Sequence, residues 1–303
     1  MLEKHINRRR RLGSISVAIA VGFTTTLLFA GQASGAQIEQ VDGRAPECQT
    51  KHLAFYPHGP TEYYWAWVAN FEVNGKGQTT SCVMLFQTGN PNPVGSAQVP
   101  CMAEPADGVT FSAGKAIFRG GHLKCDVNLK QLLPQLAPIE GLSVESHYDY
   151  NNILIAVAGT VDSKKTSAAN PVLVYKSAKG ASGDLTLALP TTRQGVGLTS
   201  IMNGTSYGVA QGSTLASAAK STTLWQVHYL PRGDSQAQVK LSVGNRQLGL
   251  SKPVAPVRFH MDGGTFYIGG MPNGPHFIGT LDEVVVDPPD GGRPPNGGGS
   301  TGP

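Results

Sequence analysis

Phe266-Tyr267-Ile268-Gly269-Gly270 is followed, after Met271-Pro272-Asn273-Gly274-Pro275, by Phe277-Ile278-Gly279-Thr280-Leu281-Asp282-Glu283-Val284-Val285-Val286. Aromatic and β-branched residues lie on both sides of a cluster that favours a turn, so the segment predicts two strands joined by a tight loop. The same signature recurs upstream. Short apolar runs at residues 53–56, 62–73, 81–87, 108–111, 116–118, 153–161, 172–175, 185–189, 199–202, 224–230 and 238–243 are separated by Gly, Pro, Asn and Asp clusters. One segment departs from it: Leu129, Leu132, Leu133 and Leu136 recur at helical spacing until Pro138, which predicts a short helix over 129–136. With 38 Gly, 21 Pro and 15% charged residues, and with no alternation of strand and helix, the chain reads as an all-β, antiparallel two-sheet sandwich.

The N-terminus sets the compartment. Arg8 to Arg11 form a basic block, residues 15–30 are almost wholly apolar or small, and Ala33-Ser34-Gly35-Ala36 supplies small residues at a cleavage site. Residues 1–36 therefore read as a secretory signal peptide. The competing reading, a membrane anchor, is disfavoured because the apolar run is short of the ~20 residues a span needs. The paired arginines also permit a twin-arginine export route. Lys4 and Arg8 to Arg11 leave with Glu3, which takes the formal charge from +4 to zero. The exported chain thus has no electrostatic case for nucleic acid or an anionic membrane surface, and it shows no membrane anchor after cleavage.

Cysteine usage agrees with export. Cys48, Cys82, Cys101 and Cys125 form an even set, which reads as two disulfides in an oxidising compartment. Three pairings are open. A nested one is favoured, with Cys82 to Cys101 closing a Pro/Gly-rich loop and Cys48 to Cys125 tying down the N-terminal part. A zinc site has no C-x-x-C or H-x-x-x-H spacing to rest on. Beyond Pro288 no large apolar side chain remains, so residues 288–303 are expected to be a disordered tail.

Three segments resemble one family. Gly114-Lys115-Ala116-Ile117-Phe118-Arg119-Gly120-Gly121 is similar to the opening strand of bacterial laminin-G-like domains. Trp225-Gln226-Val227-His228-Tyr229 with Val239-Lys240-Leu241-Ser242-Val243-Gly244-Asn245 resembles their central hairpin, and residues 266–286 their closing hairpin. Asn245 stands after Gly244 where the family commonly shows an acidic residue and then Gly. The resemblance, in order over residues 105–287, implies a concanavalin A-like or laminin-G-like jelly-roll sandwich acting outside the cell. Residues 37–104 are then an N-terminal β extension carrying cysteines, either added to the same sandwich or forming a small separate domain.

Catalysis finds little footing. Glycosidases of this fold use two carboxylates facing the scissile bond, and the retaining branch carries an E-x-D-x-x-E strand that is absent here. Asp282-Glu283 is adjacent, so strand alternation predicts side chains on opposite faces and a structural role. Ser/His/Asp chemistry has no nucleophile elbow to rest on, since the G-x-S-x-G matches, Gly204 to Gly208 and Gly298 to Gly302, fall at an Asn203-Gly204 hairpin turn and in the tail. The expectation is a non-enzyme that binds an extracellular glycan or surface protein. Two alternatives stand beside it: a structural subunit of an extracellular layer or filament, paired through edge strands, and a divergent glycoside hydrolase.

The densest aromatic cluster, Tyr63-Tyr64-Trp65-Ala66-Trp67, places Tyr63 and Trp65 where rings could stack on sugars, against the plainer reading of a strand buried on both faces. Tyr267 and His276, at the final loop, are the other ligand candidates. A cofactor is not expected. Calcium would need oxygens converging from separate loops, for example Asp149, Asn151 and Asp262.

Overall fold

The computed structural model describes residues 48–52, 63–74, 78–87, 93–128, 131–132, 149–150, 152–162, 164–178, 180, 184–232, 236–252, 254, 259–260 and 263–287. The predicted signal peptide, the predicted tail and most of the predicted helix over 129–136 fall outside these residues.

The strands, in chain order, are β1 (Tyr63–Ala69), β2 (Thr80–Gln87), β3 (Pro93–Glu104), β4 (Val109–Ser112), β5 (Lys115–Arg119), β6 (His122–Val127), β7 (Asp149–Tyr150), β8 (Ile153–Val161), β9 (Pro171–Ser177), β10 (Leu185–Ala188), β11 (Val196–Met202) and β12 (Thr205–Ser213). A six-residue helix, α1 (Leu215–Lys220), capped by Thr214, comes next. It precedes β13 (Thr223–Pro231), β14 (Ala237–Val243), β15 (Arg246–Leu250), β16 (Phe259–His260), β17 (Gly264–Ile268) and β18 (Ile278–Asp287).

One sheet runs β3-β2-β1-β18-β8-β13-β14-β15, with β5 continuing beside the first half of β18 and β4 beside β5. The other runs β3-β6-β17-β9-β10-β11-β12. Strand β3 belongs to both: its start pairs with β2 as far as Pro100, and Cys101 to Glu104 pair with β6. Proline cannot donate to a ladder, so Pro100 suits the point where the strand changes partners. Each described strand pairing is antiparallel.

The sheets face each other across one apolar core. Trp67 of β1 stacks on Phe266 of β17, ring centroids 4.0 Å apart and planes 8° from parallel. Tyr229 of β13 shares a 2.6 Å hydrogen bond with Ser200 of β11, and burial pushes its hydroxyl pKa well above the ordinary tyrosine value, so the phenol stays neutral. A smaller apolar cluster, including Cys48, Ala66, Val68, Met84, Phe86 and Val285, lies on the other face of the first sheet. That sheet's centre is therefore buried on both sides.

Two expectations need correction. The segments at 266–268 and 278–287 do not form a hairpin: β17 pairs with β6 and β9, whereas β18 pairs with β1, β5 and β8. The intervening loop arches from one sheet to the other. Gly269 sits at φ +84°, and a Cβ there would overlap the Phe118 ring, so only glycine lets the chain leave β17 at this point. The nested disulfide pairing is also wrong: the bonds are Cys48–Cys82 and Cys101–Cys125. Cys82 points to the outer cluster and Cys101, past the sheet switch, to the core. Those two cannot meet, while the β3–β6 register sets Cys101 directly opposite Cys125 with Cα atoms 4.4 Å apart.

Candidate binding face on the second sheet

Trp65 is no ligand platform. It is fully buried, at 0% exposure, because β1 lies between β2 and β18 and turns Trp65 and Trp67 into the core. The side chain of Tyr63 lies outside the described residues, as do Asn151, Asp262 and the side chain of Asp149. The backbone of Asp149 pairs with His260 in the short β7–β16 ladder. Among the described residues no group of three or more His, Cys, Asp or Glu is placed to hold a metal ion.

The other two candidates come together. Alternation along the second sheet sends Cys125, Phe266, Ile268, Leu173, Leu185 and Leu187 inward. The residues between them face out. Register then aligns Met102, Lys124, Tyr267, Val174, Thr186 and Ile201 in one row across β3, β6, β17, β9, β10 and β11. Next to this row, His122 packs against Tyr267, with ring centroids 5.7 Å apart, and against His276, 5.6 Å away with planes 18° apart. The Nδ1 of His122 is 3.4 Å from Nε2 of His276, and its Nε2 is 3.3 Å from Oε2 of Glu104.

His122 is only 3% exposed. Burial holds its pKa below the ordinary histidine value; the Glu104 carboxylate opposes this and His276 reinforces it. A neutral imidazole can donate from one nitrogen and accept at the other, so the Glu104 contact favours Nε2–H and leaves Nδ1 to accept from His276. Lys124 forms an ion pair with Asp126 at 3.2 Å, which raises the lysine pKa. A half-buried tyrosine ring thus sits among groups that can donate and accept hydrogen bonds.

Beyond Tyr267 the row continues into an apolar cavity of about 280 Å³, lined by Pro171, Val174, Thr186, Ile201, Met271 and Pro275 among others. Part of its wall is the loop that carries His276, and a Gly270–His276 bridge closes that loop on itself. His122 and Glu104 escape a reading of the sequence because 154 residues separate His122 from His276. Only the β3–β6–β17 register brings the group together.

Asp282 and Glu283 do not take opposite faces as alternation predicts. The register of β18 on β8 slips between Leu281 and Glu283, a bulge that leaves Asp282 as the extra residue. Leu281 and Val284 both enter the core, and both carboxylates turn to the other side. There Asp282 accepts from Thr222 Oγ1 at 2.6 Å and Lys115 Nζ at 3.1 Å. Glu283 accepts from the backbone N–H groups of Lys51 at 2.6 Å and His52 at 2.9 Å. Burial raises the Glu283 pKa and these donors partly offset the rise. Both acids tie chain segments together, the structural role expected of them.

Paired antiparallel sheets around a single core, with the resembled motifs on β5, β13–β14 and β18, decide the architecture. The chain folds as an antiparallel two-sheet β-sandwich. No family model matches it and no curated protein is similar to it. Among solved structures it is similar to domains LG4–5 of the mouse laminin α1 chain, at 10% identity over 46% of this chain and 36% of that one, with a TM-score of 0.34. Domain 4 of an extracellular arabinanase from Geobacillus stearothermophilus, in complex with arabinotriose, matches at 11% identity over 74% and 82% of the two chains, TM-score 0.35. An endo-1,3-β-glucanase from Streptomyces sioyaensis matches at 12% identity over 60% and 79%, TM-score 0.37. The sandwich spans about a third of the laminin chain.

Proposed function

We propose that the protein is a secreted, non-catalytic module that binds a glycan on the outer face of its second sheet, at Tyr267 and His276. The observation that carries this reading is the convergence of Tyr267, His122, His276 and Glu104 from separate elements beside an apolar cavity. An aromatic face suits the C–H side of a sugar ring, and the imidazoles and carboxylate suit its hydroxyls. The signal-like N-terminus and the two disulfides support export. The engagement of Asp282 and Glu283 in holding chain segments supports a role without catalysis.

The test is a glycan and polysaccharide panel screened with the purified protein, first with calcium and then with chelator. Selective binding that Tyr267→Ala weakens tenfold or more is expected. Binding equal in the wild type and the variant would refute the placement, and the absence of any binder would refute the glycan reading.

A further inference from the structure

We infer that the ligand of this face is a sugar bearing an uncharged aliphatic substituent, such as an ester- or amide-linked acyl chain, and that the substituent enters the cavity beside Tyr267. This rests on the glycan reading above and adds the class of sugar.

The cavity differs in kind from the cluster next to it. Its lining is Ala, Pro, Val, Ile, Met and Gly, with Thr186 and Thr199 as the polar side chains, and it holds no charged and no aromatic residue. A sugar ring would find no aromatic face to stack on there and few partners for its hydroxyls. A carboxylate or ammonium would enter with no opposite charge and bear its full desolvation cost. An alkyl chain loses nothing by entering, and the two threonine hydroxyls can serve the carbonyl that links it. At about 280 Å³ the cavity is smaller than the pockets that enclose whole drug-sized ligands, so it fits a substituent.

Position supplies the link between the two parts. Val174, in the lining, is the cross-strand neighbour of Tyr267, and adjacent strands lie about 4.8 Å apart. Met271, Gly274 and Pro275 line the cavity, and the next residue in the chain is His276. A ring seated at Tyr267 and His276 is therefore within one substituent's reach of the cavity. Ile201, at the far end of the row, is 39% exposed, one of few large apolar side chains so placed among the described residues. A buried alkyl chain would cover it.

The experiment titrates the protein with methyl, butyl, hexyl and octyl β-D-glucosides, with 1-hexanol as the chain without the sugar, by calorimetry. Affinity is expected to rise about threefold to fourfold per added methylene and to level off once the cavity is full. Ile201→Asp, at an exposed position, should abolish the rise, and Met271→Asp in the loop is the second variant should the first fold poorly. A flat series overturns the inference while leaving the glycan reading intact if the panel binders still depend on Tyr267. Hexanol binding as tightly as hexyl glucoside, unaffected by Tyr267→Ala, overturns both.

Discussion

Asp287 ends β18 opposite Leu154 at 5% exposure, and its Oδ1 has no hydrogen-bond partner among the described residues. Burial pushes its pKa up from 3.8 to about 7. The unfolded chain releases this proton near 3.8 while the native chain keeps it to about 7. The stabilisation is thus full below the unfolded value and is lost as pH rises through the folded one. A displacement of this size corresponds to about 4 kcal/mol at about 1.36 kcal/mol per pH unit. Asp287→Asn keeps the shape and removes the titration. Relative to wild type, the variant should be unchanged near pH 4 and gain stability steadily to about 4 kcal/mol by pH 8. Urea unfolding of both proteins at half-unit steps of pH reads this directly, and the difference cancels every other titrating group. A difference that does not vary between pH 4 and pH 8 would refute the burial of this carboxylate.

Three further outcomes are expected. Trp65→Ala should cost about 3–5 kcal/mol in urea unfolding while leaving glycan affinity unchanged; a loss of affinity in a folded variant would restore the aromatic platform. Glu283→Ala should cost about 2 kcal/mol, because it strips the acceptor from two backbone N–H groups, and should speed protease cleavage near Lys51; unchanged cleavage would contradict the tether. Burial depresses the His122 pKa in the folded state, so the unfolded chain protonates first and stability falls as pH drops below about 6.5. His122→Gln should flatten that limb, and an unaltered profile would show His122 to be solvated.

Apolar runs made several strands legible, Ile153–Val161 among them, because its run is nearly continuous and bounded by Asn and Asp. Asn203-Gly204 sits as the turn between β11 and β12, both residues at positive φ, which matches the plain reading of that dipeptide as a hairpin turn. Strand β3 was hidden by Pro93 and Pro100, which read as loop residues yet lie where the strand begins and where it changes sheets. The arch at 271–276 passed for a hairpin because turn chemistry is local and does not reveal which sheet the next strand joins. The same limit explains the disulfides and the bulge at Asp282, where cross-strand register outweighs residue spacing. Of the candidate face, Tyr267 and His276 were named from their place at the last loop. His122, Glu104 and the cavity depend on strands distant in sequence.

The placement of the ligand is tested most directly by nuclear magnetic resonance of the protein titrated with the strongest binder from the glycan panel. The signals of Tyr267, His122, His276 and Val174 should shift together while the indole of Trp65 stays unmoved. Shifts confined to the first sheet, with the His122 and Tyr267 signals unchanged at saturation, would contradict the account.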